Sequence, residues 1–324
     1  MGYMKTLLAS ASVLAVSSIA ASAEKWDMPM AYSDSNYHTQ NGKMFADAVK
    51  ACTDGELEIT VHGGGSLFKG GEIKRAVQRG TVQIGERLLS AHANEDAAFG
   101  FDSVPFLATS FDASDKLYNA AKPTLEETMD ENNLVLLYAV PWPPQGLYAK
   151  KEVNGVEDLE GVKFRAYNAA TARLAELAKM IPVQIEAAEL TQALATGVAE
   201  AFVSSGSTGY DRKVWEQLTH FYDAQAWLPR NYVFVNKDVY NGASEKVQNC
   251  LKEAGAEAQA KGTAKAIELT DFYLKGLAEN GMSVAAPGDK LKADLAEIGK
   301  TMADEWKEVA GKKGEAILEA YSNQ

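Results

Sequence analysis

The segment His62-Gly63-Gly64-Gly65 is the part of this sequence that comes closest to catalytic machinery. Glycines after a histidine can present backbone N–H groups to an oxyanion, as α/β hydrolases require. Such an enzyme also needs a serine nucleophile in a Gly-x-Ser-x-Gly turn, and the serine-rich run at 204–209 does not have that spacing. We therefore interpret the glycines as a turn, and a hydrolase is the weaker alternative.

Metal and cofactor chemistry have no support in the residue spacing. The sequence contains four histidines: His38, His62, His92 and His220. No two of them have the spacing that places metal ligands on one helix face. Carboxylates are scattered, and pairs such as Glu186 and Glu189 are typical of solvated helix faces. Neither a P-loop nor a Gly-x-Gly-x-x-Gly turn is present, so we predict no metal and no cofactor.

Aromatic and polar residues concentrate where predicted strands end. In open α/β sheets, ligands bind beyond the carboxyl ends of the strands, and aromatic walls with a few polar groups are typical of small-molecule pockets. The joint placement of these residues, more than any one of them, indicates a binding site. The candidates at strand ends are Tyr32, Glu86, Trp142, Gln145, Arg165, Asn168, Trp227 and Asn231.

The elements that must position these residues alternate between strand and helix. Strands are predicted at 59–62, 82–84, 134–138, 162–166, 182–185 and 232–235, and helices at 72–79, 171–180 and 188–196. This order predicts an α/β fold with two βαβ regions, before and after about residue 150.

Three segments carry further expectations about these elements. The strand at 134–138 runs into a rigid loop that contains Pro141, Pro143 and Pro144. The uncharged run at 232–235 favours a strand buried in a parallel sheet. Residues 244–280 lack proline and predict either one long helix or two helices broken near Gly262, and 294–309 predicts a final amphipathic helix.

Length and charge exclude several classes of function. The chain has 324 residues and a formal net charge of −12, with an isoelectric point near 5.0. An acidic chain without a basic cluster is a poor partner for nucleic acid or for an anionic membrane surface. The length predicts about two domains, and 46% hydrophobic residues are enough to build their cores.

The first 23 residues are predicted to be a secretory signal peptide. Lys5 is followed by an apolar stretch, and Ala21-Ser22-Ala23 fits a small-residue cleavage site. A transmembrane anchor is the alternative, but the apolar stretch is short for a span. An exported chain can form a disulfide, so Cys52 and Cys250 are either paired or two buried free thiols.

An ordered set of motifs resembles the solute-binding proteins of tripartite ATP-independent periplasmic (TRAP) transporters, the DctP-like family. The set covers nearly all of the chain after the signal peptide. It comprises Gly-x-x-Gln-Ile-Gly at 80–85, Val-Pro-Phe-Leu at 104–107, Asp-Leu-x-Gly-x-Lys-x-Arg at 158–165, Ile-Pro-Val at 181–183 and Leu-x-x-Ala-Leu-x-Thr-Gly at 190–197.

The resemblance implies a two-lobe periplasmic binding protein fold, type II-like, with hinge strands and a long helix that spans both lobes. It places 24–148 plus about 230–275 in lobe I and 149–229 plus about 276–324 in lobe II. It also implies a periplasmic receptor that closes on a small solute and delivers it to membrane permease subunits without covalent chemistry.

In this family an arginine at the position of Arg165 usually grips the carboxylate of the solute, and the residue at Asn168 often faces the cleft. A guanidinium suits this task because its planar fork pairs with a carboxylate through two hydrogen bonds. Two departures matter. Ser204 lies in the stretch where many relatives carry asparagine, and the loop 142–145 lacks the second arginine of some sugar-acid binders.

Two hypotheses for the ligand remain open at this point. The first is a small organic acid, such as a hydroxy, keto or sugar acid, held by Arg165. The second is an amine or zwitterion, with Glu86 and the tryptophans Trp142 and Trp227 around the nitrogen. In the second case an internal carboxylate pairs with Arg165.

Overall fold

The computed structural model describes residues 23–324, so the predicted signal peptide lies almost entirely outside the described residues. Within this part of the chain, eleven strands form three sheets. The strands are β1 (Glu24–Pro29), β2 (Leu57–His62), β3 (Ile84–Leu88), β4 (Leu134–Pro141), β5 (Gln145–Ala149), β6 (Lys163–Ala166), β7 (Ile181–Gln184), β8 (Ala201–Ser205), β9 (His220–Tyr222), β10 (Arg230–Asn236) and β11 (Ser283–Ala285).

Helices cover these sheets. They are α1 (Tyr37–Cys52), α2 (Gly70–Gln78), α3 (Phe111–Glu131), α4 (Ala169–Leu177), α5 (Leu190–Ala195), α6 (Gly206–Asp211), α7 (Lys237–Gly242), α8 (Glu245–Glu279) and α9 (Asp289–Ser322). Short 3₁₀ helices join several of them, at Leu89–His92, Ala97–Ser103, Val156–Leu159, Ala187–Glu189 and Val214–Glu216. No helix within residues 23–324 is long and apolar enough to span a bilayer.

The sheets divide the molecule into two lobes. One lobe contains the parallel pair β1–β2 and the sheet β3-β10-β4; the other contains the mixed sheet β11-β9-β5-β8-β6-β7. The chain crosses between them along two segments that run side by side. Trp142 N–H donates to the carbonyl of Pro229 at 2.8 Å, and Gln145 N–H donates to the carbonyl of Trp227 at 2.9 Å. These paired segments form the hinge of a two-lobe binding-protein fold.

The prediction of a parallel setting for 232–235 was wrong. β10 pairs antiparallel with both β3 and β4, with Phe234 opposite Gly85 and Leu136. The strand is uncharged because both of its faces are buried: Val233 and Val235 enter one hydrophobic cluster, and Tyr232 and Phe234 enter another. Burial on two faces, and not parallel pairing, explains its composition.

The proline-rich loop is shorter than predicted. β4 continues to Pro141, and a new strand, β5, begins at Gln145 and pairs antiparallel with β8 and β9. β5 therefore belongs to the six-stranded sheet, although the predicted boundary kept residues up to 148 in lobe I. The exact division of the chain between lobes stays a prediction, because α9 also packs on elements of both lobes, including α3 and α4.

The long proline-free segment is one helix, α8, of 35 residues. Gly262 does not break it. A Cβ atom at this position would lie 2.7 Å from Cγ2 of Val140, so glycine lets the helix pass close to β4. Near its start, Cys250 is disulfide-bonded to Cys52 at the end of α1, with 5.7 Å between the two Cα atoms.

Candidate functional site

A small cavity lies between the lobes, next to the hinge. Its volume is about 40 Å³. It is lined by Tyr32, Arg87, Leu88, Trp142, Gln145, Arg165, Tyr167, Glu186, Ala187, Ser204, Thr208 and Pro229. Five of the predicted binding residues are among them, namely Tyr32, Trp142, Gln145, Arg165 and Ser204.

Arg165 is placed in this cavity by strand β6. Its side chain is 3% exposed, its Nε donates to the carbonyl of Ile185 at 2.9 Å, and its guanidinium carbon lies 5.0 Å from the ring centre of Tyr167. Among the described residues, neither terminal nitrogen, Nη1 nor Nη2, has a hydrogen-bond partner. The backbone contact therefore fixes the guanidinium and leaves its fork free for a ligand.

Burial changes the acidity of Arg165 but does not remove its charge. Desolvation lowers the pKa of this guanidinium to about 10. At neutral pH the group remains protonated, so the cavity holds a buried cation with two free terminal nitrogens. In such a buried setting a charge-assisted hydrogen bond to a carboxylate is stronger than it would be in water.

Arg87 is a second cavity arginine, which the sequence prediction missed. It lies on β3, and its guanidinium forms two hydrogen bonds with the carboxylate of Glu186, at 3.0 and 3.2 Å. Glu186 follows β7 in the other lobe, so this ion pair bridges the cleft. The interpretation of Glu186 as part of a solvated helix face was wrong, although Glu189 is exposed as expected.

Glu86, the neighbour of Arg87, faces away from the cavity. Successive side chains of a strand point to opposite sides, so Glu86 and Arg87 cannot both line it. Glu86 is 3% exposed and lies 3.2 Å from Nδ1 of the buried His38. The His38 ring packs against Trp142 with 4.1 Å between ring centres, which places the Glu86–His38 pair behind Trp142.

The aromatic wall of the cavity consists of Tyr32, Trp142 and Tyr167. Tyr32 meets Trp142 edge to face at 4.7 Å, and Trp142 Nε1 donates to Oδ1 of Asn231 at 2.8 Å. Trp227 Nε1 donates to the hydroxyl of Tyr167 at 3.1 Å. Trp227 and Asn231 are thus placed behind cavity residues, where they orient Tyr167 and Trp142 without lining the cavity.

The remaining polar lining is neutral. Gln145 accepts from the Tyr167 hydroxyl at 3.3 Å and donates from Nε2 to the carbonyl of Pro143 at 3.0 Å. Ser204 donates to the Thr208 hydroxyl at 2.9 Å. Burial raises the pKa of Tyr32 to about 12, so its phenol is neutral at pH 7 and can donate or accept a hydrogen bond.

Asn168 does not line the cavity in this structure. Its side chain accepts from Thr171 N–H at 2.8 Å as the N-cap of α4. Its Nδ2 donates to the hydroxyls of Ser90 and Ser103, at 3.0 and 3.3 Å, across the cleft. The amide is fully engaged in capping the helix and joining the two lobes.

Sequence reasoning could have found Arg87 by alternation within β3, but only with the correct strand bounds. The strand was expected to end at 84, which put Glu86 and Arg87 together in a loop. Tyr167 and Thr208 carried no distinguishing pattern. Within residues 23–324 no cluster of three or more histidine, cysteine, aspartate or glutamate residues could hold a metal ion.

Comparisons with known proteins identify the family of this chain. The model of bacterial extracellular solute-binding proteins, family 7 (DctP), matches residues 29–312. A TRAP solute-binding protein from a marine metagenome, specific for pyroglutamate, is 55% identical; the match covers 93% of this chain and 99% of that chain, with a TM-score of 0.92. An extracytoplasmic solute receptor of Bordetella pertussis that binds pyroglutamic acid is 47% identical, with coverage of 93% and 100% and a TM-score of 0.91.

A more distant relative is the monocarboxylate 2-oxoacid-binding periplasmic protein of Nostoc sp.. It is 25% identical over 72% of this chain, and the match spans about two thirds (66%) of its own length. The family model and the two close relatives extend over nearly the whole described chain. The chain therefore belongs to the bacterial extracellular solute-binding protein family 7, and it is a solute-binding protein of the TRAP type.

Proposed function

We propose that this protein captures a small monocarboxylate of the pyroglutamate class in the interlobe cavity and delivers it to TRAP permease subunits. The observation that carries the proposal is Arg165, a buried guanidinium with two free terminal nitrogens in the cavity between the lobes. A carboxylate is the complementary partner of such a fork. Export by the predicted signal peptide would place the receptor in the periplasm.

The proposed solute class follows from size, charge and relatives. The cavity is compact, its aromatic wall suits one face of a small ring, and its neutral hydroxyl and amide groups suit polar ring substituents. Two relatives at 55% and 47% identity bind pyroglutamate or pyroglutamic acid. A pyroglutamate-like acid has one carboxylate for Arg165 and a ring amide for the neutral groups.

The amine hypothesis has less support. It required Glu86 near the ligand, but Glu86 lies behind the wall beside His38. It also required an internal carboxylate on Arg165, whereas the carboxylate of Glu186 is paired with Arg87. An ammonium group would find no uncompensated anion among the described cavity residues.

A thermal-shift and calorimetry panel on the purified protein tests the proposal. Pyroglutamate is compared with 2-pyrrolidinone, which lacks the carboxylate, and with proline, which lacks the ring carbonyl. We expect pyroglutamate at about 100 times its dissociation constant to add about 2.7 kcal/mol of stability. Pyrrolidinone should have no effect, because it cannot engage Arg165. Stabilisation by amines, or by none of the small carboxylates, would refute the proposed class.

A further inference from the structure

Only three of the described residues that line the cavity carry a formal charge: Arg87, Arg165 and Glu186. Arg87 and Glu186 share two hydrogen bonds and neutralise each other. Arg165 has no carboxylate partner within the described chain. The cavity therefore presents one uncompensated positive charge to a ligand, although it contains two guanidinium groups.

The ion pair also lies between two cavities. Arg87 and Glu186 line a second, outer cavity of about 190 Å³ whose walls are mainly polar and include Arg75 and His92. The pair thus forms a wall between the two spaces. Arg87 is 5% exposed and Glu186 is 33% exposed, so Arg87 is buried beneath a carboxylate that reaches solvent.

The other acidic groups nearby do not neutralise the positive charge that Arg165 gives the cavity. Glu86 is turned to the opposite side of β3 and lies against His38. Asp211 lines a separate small cavity beyond Tyr32, and its carboxylate accepts from Nδ2 of Asn36 at 2.7 Å. Glu186 is the one carboxylate of the described chain that lines the cavity. It is paired with Arg87, the guanidinium that a second carboxylate of a ligand would need.

We infer that Glu186 is a specificity-determining residue. By pairing with Arg87 it leaves only Arg165 to bind a carboxylate, so the cavity accepts solutes with a single negative charge. This inference rests on the proposed function, because it assigns a charge class to the same cavity. A dicarboxylate of similar length would bring its second carboxylate toward Glu186, where it would meet repulsion and no free cation. Like charges placed side by side in a binding site disfavour the wrong ligand.

The experiment is a charge series in one cavity. The wild type has one guanidinium group without a carboxylate partner, Arg165. Glu186→Gln removes the carboxylate and leaves two such groups. Arg87→Met removes the partner of Glu186, so the positive charge of Arg165 is offset by an unpaired carboxylate. Calorimetry measures the dissociation constants of pyroglutamate and of glutarate, a five-carbon dicarboxylate. Glu189→Gln, an exposed carboxylate in the same segment, is the control for a change in overall charge.

We expect Glu186→Gln to tighten glutarate binding about tenfold or more relative to the wild type, and Arg87→Met to weaken pyroglutamate about tenfold or more. Glu189→Gln should leave both constants unchanged. The inference is overturned if Glu186→Gln leaves glutarate affinity at the wild-type value, or if Glu189→Gln produces the same gain. It is also overturned if the wild type binds glutarate as tightly as pyroglutamate.

Failure of the proposed function has a different signature. In that case the wild type binds neither pyroglutamate nor related monocarboxylates, whatever the variants do. The gain of glutarate affinity in Glu186→Gln is measured against the wild-type affinity for the same compound, so it does not depend on which monocarboxylate is the natural solute. A circular dichroism spectrum of each variant shows that the fold is retained.

Discussion

At the scale of single residues, the roles of the buried arginines are decided by their partners. Arg230 is 1% exposed, pairs with Asp115 and donates to Ser114 at 3.1 Å, so it supports the fold. Both terminal nitrogens of Arg87 are hydrogen-bonded to Glu186, whereas both terminal nitrogens of Arg165 are free. Because burying a charge is costly, a buried guanidinium with free donors is the residue for which a ligand is expected.

Asp102 provides a prediction about pH. Burial raises the pKa of this carboxyl to about 6, although Arg230 N–H and the Tyr232 hydroxyl each donate to it at 2.9 Å. The folded pKa lies above the unfolded value, so the protonated acid is stabilised by folding. The free energy of unfolding of the wild type should therefore fall, relative to Asp102→Asn, as the pH rises from about 4 to about 7.

The size of this change follows from the shift in pKa. Two pKa units correspond to about 3 kcal/mol of linked stability. Urea unfolding of both proteins across this pH range measures it, and the variant serves as the reference that cancels the other titrating groups. A difference that is constant with pH, or that grows in favour of the wild type, would contradict the assignment.

At the scale of elements, strand bounds decide which residues reach the cavity. The motif at 158–165 predicted β6 and its arginine through its resemblance to the TRAP solute-binding family. It carries no information on Arg87, whose orientation follows from alternation only once β3 is known to continue to Leu88. β5 was missed because three prolines suggested a loop throughout, although they all precede its first residue.

Pairing between distant strands was also beyond sequence reasoning. The uncharged run of β10 indicates burial, but its antiparallel neighbours come from positions about 90 to 150 residues earlier in the chain. Local composition contains no information on such partners. The continuity of helix α8 could not be predicted either. Gly262 is required by the close approach of Val140 in β4, and this tertiary contact is not visible in the sequence.

Asn168 allows a test of how the cap of helix α4 contributes to stability. It caps α4 and joins that helix to Ser90 and Ser103. Asn168→Ala should lower the free energy of unfolding by about 0.5–2 kcal/mol for the lost cap, with a further loss for the two bonds across the cleft. Asn168→Ser should recover part of the cap contribution, because serine also accepts from the helix N-terminus. Equal destabilisation by both substitutions in urea unfolding would argue against the cap.

At the scale of the whole molecule, two lobes are joined by hydrogen-bonded crossing segments and by α8. The acidic total of −12 does not attract anions, so capture of a carboxylate depends on a local positive group enclosed between the lobes. The aromatic wall, the Arg87–Glu186 bridge and the Asn168 bonds all lie at this junction. The two lobes together thus form the cavity.

The disulfide gives a prediction for the molecule as a whole. Cys52 and Cys250 are 198 residues apart, and a cross-link over such a loop restricts the unfolded chain strongly. Removing it in the Cys52→Ala/Cys250→Ala double variant should cost about 2–5 kcal/mol of stability. Guanidinium unfolding with and without reductant measures this cost. A double variant as stable as the oxidised wild type would show that the bridge does not stabilise the fold.

The central claim is that Arg165 holds the carboxylate of the solute, and calorimetry of pyroglutamate binding to Arg165→Ala tests it most directly. Arg79→Ala, a change at an exposed arginine outside the cavity, is the matched control. We expect Arg165→Ala to lose about 2–5 kcal/mol of binding free energy, because the carboxylate would be buried without its partner, and Arg79→Ala to bind as the wild type does. Wild-type affinity in Arg165→Ala would contradict the account.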